Sequence, residues 1–529
     1  MKKLISLLLA CIFVFMTCSA ALAADTDDGC NCGYTPIIDI KGTSIYKDTT
    51  DLSKGLAEKQ FSDKSGLASS ATKISTALAG ALVTDNWDNY CDVLYDEIIS
   101  VYDGYALNND GEIANNSGID PYYSIDNAVA RVYENGKNYH IEQKDNILMY
   151  EYLYDSRLDP IENAAMLKRY IDAVKEVTGH DKVAILGRCA VCVILNVYLN
   201  DYGTDDLESV IFYNSIADGC ELIDAWFTGE VKFDSEGLNN YVYEYSGTSP
   251  LLDLVIACVE ASEYSGLLGS STDLLQKIYD KVSTNVVPRL VRDIFGTCPG
   301  YYSYVSADKY EKAKSFVLGD NADGKYDKLI AKIDNYNCNY KSKTKETIKN
   351  AVADGVHVYI VAKYNRQMYP LIEDSSVLGD DTISLYKQTF SGATCSKTGE
   401  TLSDEYIASA DAKYISPDKM VDASTGILPD HTWYLRDLPH MDYPATLDPY
   451  MMRLLRNKDY VTIDTYEDMP QFMLYNKTDS SFTAMTDENA PDATSGRPEK
   501  SFFGVLRDIF KKIINLLKSF FAKITGSAN

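Results

Sequence analysis

A chain of 529 residues that is 46% hydrophobic can bury a large core, which excludes a disordered or fibrous class. Its formal net charge of −27, with no lysine- and arginine-rich stripe through the body of the chain, would repel a phosphate backbone, so nucleic acid is not an expected partner. The twelve cysteines are mostly scattered singly and the five histidines lie far apart, so neither a disulfide scaffold nor a zinc site is expected, and no cofactor is called for.

The chain opens with Lys2 and Lys3, an apolar run from Leu4 to Met16, and Ala21-Leu22-Ala23. This pattern predicts a signal peptide over residues 1–23 and an exported protein, secreted or held at the cell surface. The apolar run is shorter than the roughly 18 residues of a spanning helix. A lipoprotein site at Cys11 is the lesser alternative.

A strand is predicted over Thr35–Ile40, stopping at Lys41-Gly42-Thr43-Ser44, followed by a long polar and helical region. Asn146–Tyr154 reads as a second buried strand and ends in Asp155-Ser156-Arg157. From Pro160 to Thr178 apolar residues recur at helical spacing, and Gly179 stops the helix. Lys182–Leu186 is a short apolar strand, Val193–Leu199 a helix, and Ser209–Tyr213 another strand. Residues 221–354 turn largely helical, and strands return at Val356–Ala362 and Thr432–Leu435. Strands alternating with helices predict a mostly parallel sheet covered on both faces, with the middle block as a helical insertion above it. The expected divisions are thus a core over 24–220 and 355–475, interrupted by a cap over 221–354.

Residues 476–500 are polar and read as a linker. They lead to 501–529, where Phe502, Leu506, Ile509, Ile513, Leu516, Phe520 and Ile524 form a stripe at helical spacing. The opposite face is basic, with Arg507, Lys511, Lys512, Lys518 and Lys523 against Asp508.

One junction has the chemistry of a reactive site. Strand, glycine, candidate nucleophile and helix follow one another at Gly187-Arg188-Cys189-Ala190, the order that a sharp turn needs to expose a side chain at a helix N-terminus. Thiolate is the reactive form of cysteine, and Arg188 beside it would favour that form. A buried structural cysteine fits the bare pattern as well. Cys189-x-x-Cys192 also fits a thiol redox pair, and Cys30-x-Cys32 a disulfide or thiol pair.

In order, the chain carries TPIIDIKGTS, YLYDSRLDPIENA, KVAILGRCAVC, SVIFYNSIADG, TCPGYYSYV, VLGDDTIS, TFSGAT and DHTWYLRDLPH. Over roughly Cys32 to Asn476 this series resembles the α/β-hydrolase fold family, in the branch of lecithin–cholesterol acyltransferase and the bacterial lipases. The resemblance implies an α/β-hydrolase fold with an inserted helical cap, acting on a carboxylic ester or lipid. It places the nucleophile at Cys189, the acid at Asp380 with Asp381 as the neighbouring choice, and the base at His440 rather than His431. The oxyanion-hole N–H groups would be those of Thr43 and Ala190. Two residues depart from the family pattern: cysteine stands for the nucleophilic serine, and Val191 stands for the second glycine of the turn, where a β-branched side chain is expected to distort it. The resemblance is therefore compatible with an esterase using a Cys-His-Asp triad, or with a hydrolase-fold protein that binds lipid or glycolipid without turnover.

The stripe over 501–526 predicts an amphipathic helix that lies on an anionic membrane or docks to a partner. Liposome flotation of the full chain and of a chain ending at residue 500 tests this, with the full chain alone expected to float on anionic vesicles. Equal flotation removes the membrane role.

Overall fold

Strand β1 (Ile37–Gly42) shows how the sheet is built: Ile38 and Ile40 enter one buried cluster and Ile37 enters another. The same alternation recurs in β3 (Val183–Arg188), β4 (Leu207–Tyr213) and β5 (His357–Tyr364), where Ile185, Val210, Phe212, Val358 and Ile360 face one side and Leu186, Ile211, Tyr213, Tyr359 and Val361 the other. Side chains alternate with period two along a strand, so apolar residues at every position require cover on both faces.

The computed structural model describes residues 34–58, 64–142, 149–232, 234, 237, 240–241 and 271–494. The expected signal peptide, Cys30, Cys32 and the segment 501–529 lie outside the described residues. The remaining strands are β2 (Tyr150–Tyr154), β6 (Thr394–Cys395), β7 (Val421–Asp422), β8 (Thr432–Arg436), β9 (Phe472–Asn476) and β10 (Ser481–Ala484). Eight of them form one sheet in the order β10-β9-β8-β5-β4-β3-β1-β2, while β6 and β7 pair separately. Every neighbouring pair in the large sheet is parallel except β9 with β10. The protein therefore has an α/β architecture with a mostly parallel central sheet.

Parallel neighbours need crossover connections, and these supply the covering helices. Helix Pro160–Thr178 is set by local chemistry at both ends. The Asp159 carboxylate accepts the Ile161 N–H at 2.9 Å, Pro160 occupies the first turn, and Gly179 closes the helix in the left-handed region at φ 66°. With helices Val191–Asp201 and Thr344–Ala353 it covers one face, and helix Asp448–Arg456 packs Met451, Leu454 and Leu455 on the other.

Three boundaries differ from the sequence reading. Helix Thr344–Ala353, expected in the cap, lies on the sheet because the β4-to-β5 crossover must return across it. Residues 476–500, expected as a linker, contribute the antiparallel edge strand β10, whose Phe482 is buried against the sheet. β1 runs through Gly42, where an added Cβ would meet nothing, so the turn begins after it.

The helices above the sheet come from two insertions. Trp87, Tyr90 and Cys91, between β1 and β2, bury themselves against Ile278, Val282, Val286 and Leu290, between β4 and β5. Below that contact, Pro299–Tyr302 docks on the turn after β2. The Gly300 N–H donates to the Arg157 carbonyl at 3.0 Å, and a Cβ on Gly300 would stand 2.0 Å from the Ser156 carbonyl oxygen. Arg157 itself is fully buried, forked onto Asp155 at 2.7 and 3.0 Å and donating to the Tyr105 carbonyl at 2.7 Å.

Because backbone bounds the space at Gly300, Gly300→Ala is expected to destabilise by about 3 kcal/mol or more, the upper end of overpacking costs. Gly42→Ala, with open space around it, should leave the thermal unfolding midpoint within experimental error. Equal midpoints for the two variants would contradict the docking of this segment.

Candidate active site

Four adjacent parallel strands leave the sheet at the same edge, each through a residue with positive φ: Cys189 (49°) after β3, Asn214 (38°) after β4, Asn365 (67°) after β5 and Asp437 (68°) after β8. Asparagine and aspartate tolerate this left-handed region. Cysteine does not, so the strain falls on Cys189. It is sustained from both sides, since the Cys189 N–H donates to the Tyr213 carbonyl at 2.9 Å and its carbonyl accepts from Cys192 N–H at 3.1 Å. Gly187 packs closely on the following helix, since a Cβ there would lie 2.3 Å from Leu195 Cδ1 and push that side chain aside. Val191 takes ordinary backbone geometry as the first residue of that helix and is buried in the core, so the expected distortion is absent.

The structure brings together the three residues singled out from the sequence. His440 Nε2 lies 3.2 Å from Cys189 Sγ, and His440 Nδ1 donates to Asp380 Oδ2 at 2.8 Å. Asp380 is fully buried, and its other oxygen accepts the Ile383 N–H at 2.8 Å and the Thr382 N–H at 3.2 Å. Those bonds fix the carboxylate and leave Oδ2 for the imidazole. Asp381 has a separate role, accepting from the Thr382 hydroxyl at 2.7 Å and, at 3.3 Å, from the His440 N–H, which also donates to the Asp380 carbonyl at 2.9 Å. Burial would pull the His440 imidazole down, but the Asp380 carboxylate and the Cys189 sulfur hold it well above its ordinary value. That arrangement favours an imidazolium between the carboxylate and the sulfur.

His431 stands at the opposite end of β8, stacked 3.5 Å from the Tyr460 ring, with Nδ1 2.7 Å from the Val461 carbonyl. Arg188 turns away from the thiol to Asp39 at 3.3 Å and to the Tyr443 ring at 3.8 Å. Cys189 and Cys192 both carry free thiols, and the Cys192 S–H is buried and directed to the Gly187 carbonyl at 3.5 Å. Burial raises that thiol, which makes it a poor resolving partner for a redox pair.

The expected oxyanion donors lie where two neighbouring strands leave the sheet. Ala190 precedes helix Val191–Asp201, and the pairing of Ile40 with Gly187 carries Gly42 and Thr43 to the level of Cys189. Tyr301 and Tyr304, from the second insertion, pack in the same cluster as Cys189 and Ala190. A cavity of about 830 Å³ lies beside the acid turn rather than over the thiol, and its Glu221 accepts from the Ser384 hydroxyl at 2.6 Å.

Two neighbours of the triad escaped the sequence reading. Asn214 Nδ2 donates to the His440 carbonyl at 3.2 Å and lies 3.2 Å from its Nδ1. Lys363, fully buried on β5, sends its ammonium to the loop that carries His440. The available signal was a lysine inside the mostly apolar strand VHVYIVAKY, a position where charge is rarely buried without a purpose.

If Cys189 is strained, glycine should suit the position better than alanine. Cys189→Gly is expected to be more stable than Cys189→Ala by about 1 kcal/mol, the reverse of the usual order at a strand-to-helix junction. Thermal unfolding of the two variants measures it, and an alanine variant of higher midpoint would show that the turn carries no strain. Comparison with protein-family models, with curated proteins and with solved structures gave no match to this chain.

Proposed function

We propose that this chain is an exported α/β-hydrolase of the lipase and esterase type, acting on carboxylic esters through Cys189, His440 and Asp380. The observation that carries the reading is the continuous contact from thiol to imidazole to carboxylate, at 3.2 and 2.8 Å, among residues from three separate loops at one sheet edge. The order supports it further. The nucleophile follows β3, the acid follows β5 and the histidine follows β8, with helical insertions above the thiol as a cap.

In this reading the Cys189 thiolate attacks the ester carbonyl carbon, and the electron pair displaced onto oxygen is held by the Ala190 and Thr43 N–H groups. Collapse of that intermediate breaks the carbon–oxygen bond to the alcohol, which leaves with the proton from His440 Nε2. A thioester remains on Cys189. His440 then takes a proton from water, the hydroxide attacks the thioester, and a carboxylic acid departs as thiolate and imidazolium are restored. Asp380 holds the imidazole in the tautomer and orientation that both steps need.

Hydrolysis of short- and medium-chain p-nitrophenyl esters and of thioesters, under reducing conditions, tests the reading. Cys189→Ala and His440→Ala are each expected to lose about 10³-fold or more in kcat, far beyond a packing effect. A wild type no faster than Cys189→Ala on every ester, yet still able to retain a lipid, would instead establish a binding protein without turnover.

A further inference from the structure

We infer that Lys363 is a positioning residue for this reaction, clamping the loop that carries His440 so that the imidazole stays in line between Cys189 and Asp380. The inference rests on the Cys-His-Asp reading and adds to it a residue from outside the triad. The ammonium donates to three main-chain carbonyls of that loop, Pro439 at 2.9 Å, His440 at 2.8 Å and Asp442 at 2.9 Å. These bonds use all three donors of a lysine, so none remains for a direct ion pair with a carboxylate.

A fully buried ammonium without such a pair is a costly way to fill space, and an apolar side chain would serve packing better. Burial pulls Lys363 down to about 8, against the Asp380, Asp381 and Asp442 carboxylates and the Cys189 sulfur, all of which favour its charged form. The Tyr213 ring lies 4.6 Å from the ammonium, and the Tyr213 hydroxyl donates to the Asp442 carbonyl at 3.2 Å, so both side chains gather the same loop. The base of the clamp is fixed as well. Gln388 accepts the Lys363 N–H at 2.8 Å and donates to the Lys363 carbonyl at 3.0 Å and to the Ile383 carbonyl at 2.9 Å. Since the Ile383 N–H donates to Asp380 at 2.8 Å, one strand residue ties the acid turn and the histidine loop together.

Misplacing a catalytic group by about 1 Å costs roughly 100-fold in rate. Lys363→Met and Lys363→Gln should therefore lower kcat by about 10- to 100-fold with KM nearly unchanged, while both variants still unfold cooperatively. The decisive readout is the pH dependence of Cys189 alkylation by iodoacetamide, followed by mass spectrometry of the Cys189 peptide, with Cys189→Ala as the blank. The variants are expected to alkylate with a pH profile displaced from that of the wild type, because an imidazole out of line no longer contacts the sulfur. A wild-type profile retained in folded Lys363 variants would overturn the clamp and leave the triad standing. A wild-type profile that His440→Ala leaves unchanged would overturn the triad, and the clamp with it. Failure of both variants to fold would make Lys363 a determinant of the fold rather than of the site, and would also overturn the inference.

Discussion

Parallel strands joined by crossovers all point the same way, so their C-terminal ends, and the loops that leave them, gather at one edge of the sheet. The rest of this molecule depends on that constraint. Residues 189, 380 and 440 are far apart in the chain, yet they meet because β3, β5 and β8 end together. The strand ends also share backbone hydrogen bonds across the edge: Cys189 with Tyr213, Asn214 with Val361, and Asp437 with Tyr364. Each loop therefore starts from a position set by its neighbour. Little freedom remains for the thiol or the imidazole.

Much of this was legible because the signals are local or periodic. The apolar alternation of β1, β3, β4 and β5, the proline and glycine that bound helix Pro160–Thr178, and the glycine that lets a helix pack against β3 are all written in neighbouring residues. Asp380 and His440 have no such local signature, and only the order of short segments along the chain singled them out. The roles of the site's supporting residues were not legible, although the lysine in an apolar strand marked one of them as unusual. Lys363 and Asn214 act on a loop more than seventy residues away, and no spacing rule links a lysine in a strand to three carbonyls in a distant loop. The edge strand β10 was missed for another reason: the alternation of Ser481-Phe482-Thr483-Ala484 is too short and polar to stand out from a linker.

Two charged groups buried at the site, Asp380 and Lys363, are held largely by backbone. Arg157 is instead paired in a fork with Asp155, and it holds the turn on which Pro299–Tyr302 rests. Asp380 accepts main-chain N–H groups, and Lys363 donates to main-chain carbonyls. Bonds of this kind fix loop shape independently of the side chains the loops carry. A rigid edge of that sort suits chemistry that depends on the position of two atoms.

The helices above the sheet carry a consequence for the way the chain reaches this state. Their two halves meet through contacts such as Tyr95 with Asp293 and Arg289 with Asp92, which are 198 and 197 residues apart in sequence. While the chain is made from its N-terminus, the face with Trp87 and Tyr90 must wait for the second half to emerge, with its apolar side chains open to water. Long-range closure of this kind is slow, because the loop entropy is lost before the contacts form. The pairing of the two insertions thus waits for residues 271–290, and a ribosome-bound or truncated chain ending before residue 271 already holds β3 and Cys189 without the partner face that covers Trp87.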